Sequence, residues 1–249
     1  MAKRILLISD IHGNAPALQA IQTHFKGLKF DAIINCGDTL VYAPFPNETL
    51  DLLRQLNAIS ILGNTDKKVI KLLQEKSFTK PGKPEKRIMY ESTAEALTQQ
   101  NSNFLQGFKK KTSYTVYKKA EINGDHDLTI GIFHGSPAAH HEFLFDTTDD
   151  SRFKELAASC KHNIVVTGHS HTPYYKHNGG VHFINPGSVG RMFDGDAASS
   201  CAVLTISADT ISVIHHRVSY DVEVVIRAII EQNLPEIYSQ MFRLGKKLN

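Results

Sequence analysis

Cysteine, long apolar runs and excess charge are all scarce in this chain of 249 residues. Its three cysteines, Cys36, Cys160 and Cys201, lie far apart and outside any CxxC spacing, which argues against a disulfide framework and against a thiolate metal site. No apolar run approaches the length needed to cross a bilayer. The net charge of +3 is too small to require a nucleic-acid partner. We therefore expect a protein of the reducing cytoplasm that has no membrane partner.

The charge is distributed unevenly along the chain. Residues 67–119 contain 13 Lys or Arg and 4 Asp or Glu, a local balance of +9 in a chain of net charge +3, so the remainder carries −6. We expect one domain over residues 1–249, with this basic segment as an inserted, mainly helical cap that attracts polyanionic substrates. A solvated helical face is the alternative interpretation of the same residues.

The C-terminal segment at about 221–247 is predicted to be helical with a break at Pro235. Its stretch "DVEVVIRAIIEQ" has an apolar stripe at helical spacing. Such a stripe packs either on its own domain or on a second copy of the chain, so a homodimer remains one of the two alternatives.

Short apolar runs predict buried strands at 3–9, 31–37, 58–63 and 163–168. They are rich in Ile, Val and Leu without alternation, which is typical of strands covered on both faces. Helical spacing follows at 15–25, after the N-cap candidate Asn14, and at 48–56, after Asn47. This strand–helix alternation predicts right-handed crossovers and a mostly parallel sheet.

The second half of the chain has a different pattern. Residues 113–135 predict a hairpin whose turn lies near Asn123 and Gly124. The runs "VHFINPGS", "SCAVLTIS" and "TISVIHHRVS" predict a second set of strands that is more antiparallel in character.

Polar donors follow five of the predicted strands, at the ends where the strands stop: Asp10, His12, Asp38, Asn64, His134, His169 and His171. Ligands collect at the carboxyl ends of strands in sheets of this type. Oxygen and nitrogen donors without sulfur suit Mn, Fe, Zn or Ni better than Ca or Mg alone. Seven ligands are too many for one ion but suit two ions with a shared ligand, the usual apparatus for displacement at phosphorus.

Each motif taken singly also has a structural interpretation. An Asp-X-His sequence is also found at capped helix starts, and "GD" and "GN" are ordinary turn dipeptides. Five coincidences at five strand ends favour the metal interpretation over the structural one. We therefore predict a two-metal centre, with Mn as the first choice and Fe, Zn or Ni as alternatives.

Together, "SDIHGN", "GD", "GNTD", "FHGSP", "TGHSHTP" and "INPGSVG" resemble the motifs of the calcineurin-like metallophosphoesterases, in particular the small bacterial and archaeal phosphodiesterase branch. The resemblance covers most of residues 3–218. It implies an α/β fold, a four-layer α/β/β/α sandwich of two mixed sheets with the metals between them. The implied ligands are Asp10, His12, Asp38 and His171 for the first ion, and Asp38, Asn64, His134 and His169 for the second.

The resemblance also implies an activity. It is that of a metal-dependent phosphohydrolase in which a water activated by the two ions attacks phosphorus, with Asp38, Asn64 and His169 acting through the metals. The expected substrate is a small phosphodiester, a phosphomonoester or a nucleotide phosphoanhydride such as a diadenosine polyphosphate. Two alternatives are a Mn-dependent nuclease, favoured by the basic segment, and a non-enzymatic scaffold of the same fold. All seven matched positions hold competent donors, which argues against the scaffold.

The sequence departs from the pattern at one position, because many members of the superfamily carry a histidine where this chain has Thr65. Threonine cannot act as a general acid near neutral pH, so we predict a preference for leaving groups that are stable as anions. His140 and His141 are candidates for a substitute acid, and two solvated loop histidines are the alternative. Asn14 and Arg191 are candidate phosphate-binding residues, with helix capping and a surface arginine as the respective alternatives.

Overall fold

A computed structural model of the chain describes residues 2–117, 127–207 and 210–249. The described strands are β1 (Lys3–Ile8), β2 (Ala32–Asn35), β3 (Ile59–Ser60), β4 (Thr112–Tyr117), β5 (Leu128–Ile132), β6 (Ile164–Val166), β7 (Tyr174–Asn178), β8 (Val181–Asn185), β9 (Ser199–Ile206) and β10 (Ile211–Val218). The described helices are α1 (Ala15–His24), α2 (Pro46–Gln55), α3 (Asn64–Leu73), α4 (Pro84–Ala96), α5 (Gln99–Gln106), α6 (Asp150–Ser159), α7 (Val222–Glu231) and α8 (Ile237–Leu244). The predicted turn near Asn123 and Gly124 lies outside the described residues.

The first sheet has the strand order β10–β9–β1–β2–β3. Its central strand β1 pairs in parallel with β2 on one side and antiparallel with β9 on the other, so Leu7 lies opposite both Ile34 and Ala202. Strands β2 and β3 are also parallel, as the strand–helix alternation predicts. The sheet is mixed because the chain returns to it at β9 and β10, which pair antiparallel with each other.

The second sheet has the strand order β4–β5–β6–β8–β7. Strands β5, β6 and β8 are parallel, whereas β4 and β7 pair antiparallel at the two edges. The expected second set of strands is therefore divided: β8 joins the second sheet, but β9 and β10 join the first. A strand pattern predicts the strand and not its neighbour, because pairing depends on distant parts of the chain.

The two sheets pack face to face, and the strand side chains alternate between two apolar layers. Ile5 and Leu7 of β1 point into the core between the sheets, where they meet residues of the second sheet such as Ile132. Leu6 and Ile8 point outward onto α1 and α2. Helix α6 covers the outer face of the second sheet. Burying each such side chain stabilises the fold by about 1.5–3 kcal/mol. The predicted α/β/β/α sandwich of two mixed sheets is confirmed.

The remaining helices form a separate apolar cluster beside the sandwich. Helices α3, α4 and α5 pack there with α7 and α8 around Tyr42, Tyr90 and Tyr238. Val225 and Ile229 of the α7 stripe are fully buried in this cluster, so packing within the chain accounts for the stripe. A homodimer stays a prediction. Among the described helices, none combines the length and the apolar character that a bilayer crossing requires.

The first two helices begin differently from one another. Asn14 caps α1 as predicted, since its Oδ1 accepts a hydrogen bond from the N–H of Ala17 at 3.1 Å. The prediction that Asn47 caps α2 is wrong, because that helix already begins at Pro46, whose fixed φ suits the first helical position. The side chain of Asn47 instead accepts from the Thr98 N–H at 3.0 Å and so ties α2 to the start of α5.

Candidate metal centre

The predicted donors meet between the two sheets and form two groups. One group consists of Asp10, His12 and His171, and the other of Asp38, His134 and His169. Within each group the potential ligand atoms lie within 4.8 Å of one another. Asn64 adjoins the second group, with its Oδ1 3.1 Å from His134 Nε2. Each group combines residues that follow strands of the first sheet with residues that follow strands of the second.

In the first group, the two oxygens of Asp10 have different surroundings. Its Oδ2 accepts from the Ser9 hydroxyl at 2.6 Å and from the His169 N–H at 3.0 Å. Its Oδ1 is buried and has no hydrogen-bond partner among residues 2–117, 127–207 and 210–249. This orphaned oxygen lies 3.3 Å from His171 Nε2. A buried carboxylate oxygen left in this way is costly unless a cation joins it.

The two histidines of this group direct their Nε2 atoms at the same place. Nδ1 of His171 lies 2.5 Å from the Arg191 carbonyl, and Nδ1 of His12 lies 3.4 Å from the Leu40 carbonyl. A carbonyl only accepts, so Nδ1 donates in each ring and Nε2 faces the donor group. The two Nε2 atoms face each other at 3.2 Å, beside Asp10 Oδ1. Two imidazole nitrogens and a carboxylate oxygen directed at one point fit a divalent ion.

The second group has the same character. Nδ1 of His134 donates to the Cys36 carbonyl at 2.9 Å, which leaves Nε2 facing Asn64 Oδ1 at 3.1 Å and Asp38 Oδ1 at 3.4 Å. Burial lowers the pKa of His134, but Asp38 and Asp10 outweigh it and raise that pKa to about 9. The two carboxylates therefore create a negative potential at this point, which favours a bound cation. The residues present fit two ions.

The protonation states of the other donors suit metal binding. Burial and the neighbouring His171 lower the pKa of His12 to about 3, and burial and His134 lower that of His169 to about 4. Burial acts to raise the pKa of Asp38, yet His134 and His12 hold it well below its usual value. Neutral imidazoles and an ionised carboxylate are the forms that coordinate metals.

Five of the donors have backbones in the left-handed region, with positive φ: Asp10 at 52°, His12 at 54°, Asp38 at 50°, His169 at 66° and His171 at 58°. Non-glycine residues adopt this conformation at a cost of about 1–3 kcal/mol each when the surrounding structure enforces it. Backbone bonds between strand ends enforce it here, such as that from the His12 N–H to the Asp38 carbonyl at 3.0 Å. The donors are thus held in place by the fold itself.

Asp66 is a positioning residue that the sequence analysis missed. Its buried carboxylate accepts the backbone N–H groups of Gly63, Thr39 and Leu40 at 2.9, 3.2 and 3.0 Å. It thereby joins the loop after β2, directly after Asp38, to the residue that precedes α3. Burial and the charge of Asp38 raise its pKa. The spacing from Gly63 to Asp66 is that of an N-cap residue and its N3 partner, a signal that could have found it.

Of the two candidate phosphate-binding residues, Asn14 uses its side-chain amide in hydrogen bonds within the protein. Its side chain is fully buried, and its Nδ2 donates to the Gly190 carbonyl at 3.2 Å and to the Tyr220 hydroxyl at 3.0 Å. Its Oδ1 caps α1. These hydrogen bonds support the capping alternative, and the assignment of Asn14 to the substrate stays an untested prediction.

Arg191, the other candidate, is not the surface arginine of the alternative interpretation. It is buried, and its guanidinium lies 3.8 Å from the centroid of the Tyr42 ring. Within the described part of the chain, no carboxylate forms an ion pair with it. A buried cation that lacks an anionic partner beside a donor group is suited to bind an anion.

His140 and His141 lie at the second group. The ring of His140 is 5.3 Å from that of His134, and the ring of His141 is 6.3 Å from that of His169. His141 is exposed, whereas His140 is half-buried and its Nε2 has no hydrogen-bond partner in the described residues. Burial and His134 lower the pKa of His140 to about 3, so it holds no proton to donate near neutral pH.

Two clefts open onto the donor groups. The larger, of about 510 Å³, is lined by donors of both groups and by Thr65, Lys86, Arg191, Lys247, Phe143 and Phe145. A smaller cleft of about 210 Å³ beside His134 is lined by Lys67, Lys110, Lys111 and His140. Lysines of the basic segment at 67–119 thus line both clefts.

Comparison with known proteins agrees with this architecture. A family model described as the calcineurin-like phosphoesterase superfamily domain matches residues 4–209. The chain is also similar to the uncharacterized protein MJ0912 of Methanocaldococcus jannaschii. The two are 28% identical over an aligned length of 259 residues, and the alignment covers 97% of this chain and 98% of the relative.

Two solved structures resemble the chain over nearly its full length. A metallophosphoesterase from Sphaerobacter thermophilus is 25% identical, with a TM-score of 0.77 and coverage of 98% of this chain and 100% of the other. The hypothetical protein PH1004 from Pyrococcus horikoshii OT3 is 17% identical, with a TM-score of 0.82 and coverage of 98% and 99%. The second likeness concerns the fold alone.

Proposed function

Because this chain belongs to the calcineurin-like phosphoesterase superfamily, we propose that it hydrolyses small phosphate esters or anhydrides with two bound divalent ions, Mn being the first choice. One observation carries the proposal. In both donor groups, imidazole nitrogen and carboxylate or amide oxygen atoms converge on one point, and in the first group Asp10 Oδ1 is buried there without a hydrogen-bond partner among the described residues. That arrangement is suited to cations and to little else.

The residues of each group would hold one ion. Asp10, His12 and His171 would bind the first, and Asn64, His134 and His169 the second, with Asp38 between them. The negative charge of Asp38 acts on both sides, since His134 and His12 each lower its pKa. When bound, the ions would supply a water of lowered pKa and would neutralise the phosphate oxygens.

Arg191 is suited to hold the substrate phosphate. Its guanidinium is buried at the wall of the larger cleft and lies over the Tyr42 ring, 3.8 Å from the ring centroid. Two parallel N–H donors match two phosphate oxygens. Lys67 and Lys86 of the basic segment add positive potential at the cleft mouths, which favours the capture of anionic substrates.

Neither Thr65 nor His140 is an acid that protonates a leaving group near neutral pH. The Thr65 hydroxyl donates to the Leu40 carbonyl at 3.1 Å, and its backbone N–H donates to Asp38 Oδ1 at 2.8 Å. Both groups are therefore occupied. Leaving groups that are stable as anions need no proton, so phosphoanhydrides of nucleotides, such as diadenosine polyphosphates, are the class that the site supports best.

Thr65→Ala is expected to keep kcat/KM within about threefold of the wild-type value, which corresponds to less than about 1 kcal/mol in the transition state. The reason is that Thr65 contacts Asp38 through its backbone, which the substitution preserves. Loss of the hydroxyl hydrogen bond should lower the free energy of unfolding by about 1 kcal/mol. Steady-state kinetics and thermal unfolding measure the two effects. A loss of 100-fold in kcat/KM would show that the hydroxyl takes part in the reaction.

A substrate screen with the Mn-loaded protein tests the proposed function. We expect two ions per chain by elemental analysis, hydrolysis of nitrophenyl esters and dinucleoside polyphosphates, and much slower hydrolysis of alkyl phosphates. Single- and double-stranded DNA are included because a nuclease is the second candidate, supported by the lysines of the smaller cleft. A protein that binds no divalent ion, or that hydrolyses none of these compounds, would contradict the proposal.

A further inference from the structure

Two large aromatic side chains stand exposed at the rim of the larger cleft. Phe143 is 53% exposed and Phe145 is 38% exposed, and both line the cleft that contains the donor groups. They follow β5 on the same loop as His140 and His141. Exposed apolar side chains scattered singly need no explanation, but two neighbouring rings at a reaction site indicate a binding surface.

The two rings continue a stack that begins at a metal-ligand candidate. Phe143 lies over the His169 ring with centroids 4.0 Å apart and planes 16° apart. The Phe145 ring is 6.2 Å from that of Phe143 and inclined by only 12°. Three nearly parallel rings therefore run from the second donor group along the exposed rim of the cleft. We call these three rings, those of His169, Phe143 and Phe145, the aromatic row.

The loop that carries Phe143 and Phe145 is well anchored. Leu144, between the two phenylalanines, is 1% exposed and packs in the apolar layer under α6. Glu142 accepts from Arg152 at 2.8 and 3.1 Å, and the Phe145 N–H donates to the Thr148 hydroxyl at 2.9 Å. The alternation of one buried and two exposed side chains thus keeps both phenylalanine rings on the cleft side. Their exposure is a built feature of the fold.

Other walls of the same cleft are cationic. Lys86, Lys247 and Arg191 line it together with the donors. The cleft volume of about 510 Å³ lies within the range of about 300–1,000 Å³ that holds small ligands. A ligand that uses all of these features has a phosphate at the donor groups, further negative charge at the lysines and a planar ring beside the aromatic row.

We propose that the aromatic row stacks a nucleobase, so that the substrates of this chain are nucleotides. The inference rests on the proposed function, because it takes the phosphate to lie at the donor groups. Nucleotides combine a planar ring, a spacer and phosphates in one molecule. Stacking on aromatic side chains tolerates any base, since every base has a π face. The row therefore selects nucleotides as a class and does not select one base.

Calorimetric titration of the Mn-loaded protein with AMP, ribose 5-phosphate and phenyl phosphate tests the inference, and phosphate release is measured in parallel so that the heat of hydrolysis is separated from the heat of binding. We expect AMP to bind at least about tenfold more tightly than ribose 5-phosphate, which lacks only the base. Phe143→Ala should weaken AMP binding by about five- to 100-fold and change ribose 5-phosphate binding by less than about twofold. Phe143→Tyr, which keeps a stacking ring, should retain most of the affinity for AMP.

Tyr175→Ala is the matched control. Tyr175 is an aromatic residue with 38% exposure, equal to that of Phe145, and it stacks on His182 with planes 2° apart. It does not line the cleft. Its removal should leave the AMP affinity unchanged within about twofold, the usual size of a remote surface effect.

Three outcomes would overturn the inference. They are equal affinity for AMP and ribose 5-phosphate, equal weakening of both by Phe143→Ala, and phenyl phosphate binding as tightly as AMP, which would assign the row to simple aryl esters. A protein that binds AMP through Phe143 but hydrolyses no phosphate compound would contradict the proposed function and leave the stacking site standing. Hydrolysis of nitrophenyl esters without any preference for AMP would contradict the stacking site alone.

Discussion

Asp38→Asn is expected to lower kcat/KM by at least about 1,000-fold, the equivalent of about 4 kcal/mol of transition-state stabilisation. Asp38 is ionised, because His134 and His12 hold its pKa well below the usual value despite its burial. Asparagine keeps the shape of the side chain but removes the charge that faces both donor groups. We therefore expect both ions to bind more weakly, and not only one of them.

Kinetics and elemental analysis of the Asp38→Asn variant after dialysis measure these effects. Asp51→Asn is the matched control, since Asp51 is a partly exposed aspartate that pairs with Arg54 on α2 and lines neither of the two clefts. Its turnover and metal content should equal those of the wild type, because exposed ion pairs contribute at most about 1 kcal/mol. An Asp38→Asn variant with full metal content and unimpaired turnover would refute the role given to this carboxylate.

Gly168→Ala is expected to disrupt the first donor group and to destabilise the fold. A Cβ atom at this position would lie 1.9 Å from the Ser9 hydroxyl oxygen and 2.7 Å from Asp10 Oδ2, two atoms that are hydrogen-bonded to each other at 2.6 Å. Neither side chain has free space, because both are fully buried. Overpacking of this kind destabilises by about 1–3 kcal/mol. For a chain of this size that lowers Tm by about 2–12 °C.

The displacement of Asp10 should also reduce kcat/KM by about 100-fold, the upper range for altered metal-ligand support. Gly82→Ala provides the comparison, since its added Cβ would have no neighbour closer than the Thr79 carbonyl oxygen at 4.0 Å. That variant should keep its Tm within about 1 °C, as surface substitutions usually do. If Gly168→Ala matched Gly82→Ala in both Tm and activity, the tight contact around Asp10 would be disproved.

The location of the donors was predictable from the sequence for a physical reason. Buried parallel strands produce apolar runs that are easy to recognise, and their carboxyl ends meet at one edge of the sheet. Asp10, Asp38 and His169 each stand directly after such a run or shortly beyond it. The grouping into two sets came from the resemblance to a family and not from spacing, since no local pattern tells which strand ends face each other.

The features that escaped prediction depend on contacts between distant parts of the chain. The return of β9 and β10 to the first sheet is a non-local pairing, and the sequence of a strand does not encode its partner. Arg191 and Tyr42 are nearly 150 residues apart in the sequence, and only folding brings the guanidinium over the ring. The error at Asn47 has a local cause, because Pro46 outweighed a good cap residue in setting the helix start.

The pairing of β1 with β9 has a consequence for the synthesis of the chain. Leu7 is opposite Ala202, so the first sheet stays open along the β9 side of its central strand until most of the chain has been made. Closing so long a loop slows folding. Meanwhile the apolar edge of β1 is a template for pairing with other chains. A nascent or shortened chain that stops before residue 199 would therefore be prone to aggregate, and would depend on chaperones for as long as that edge lacks its partner.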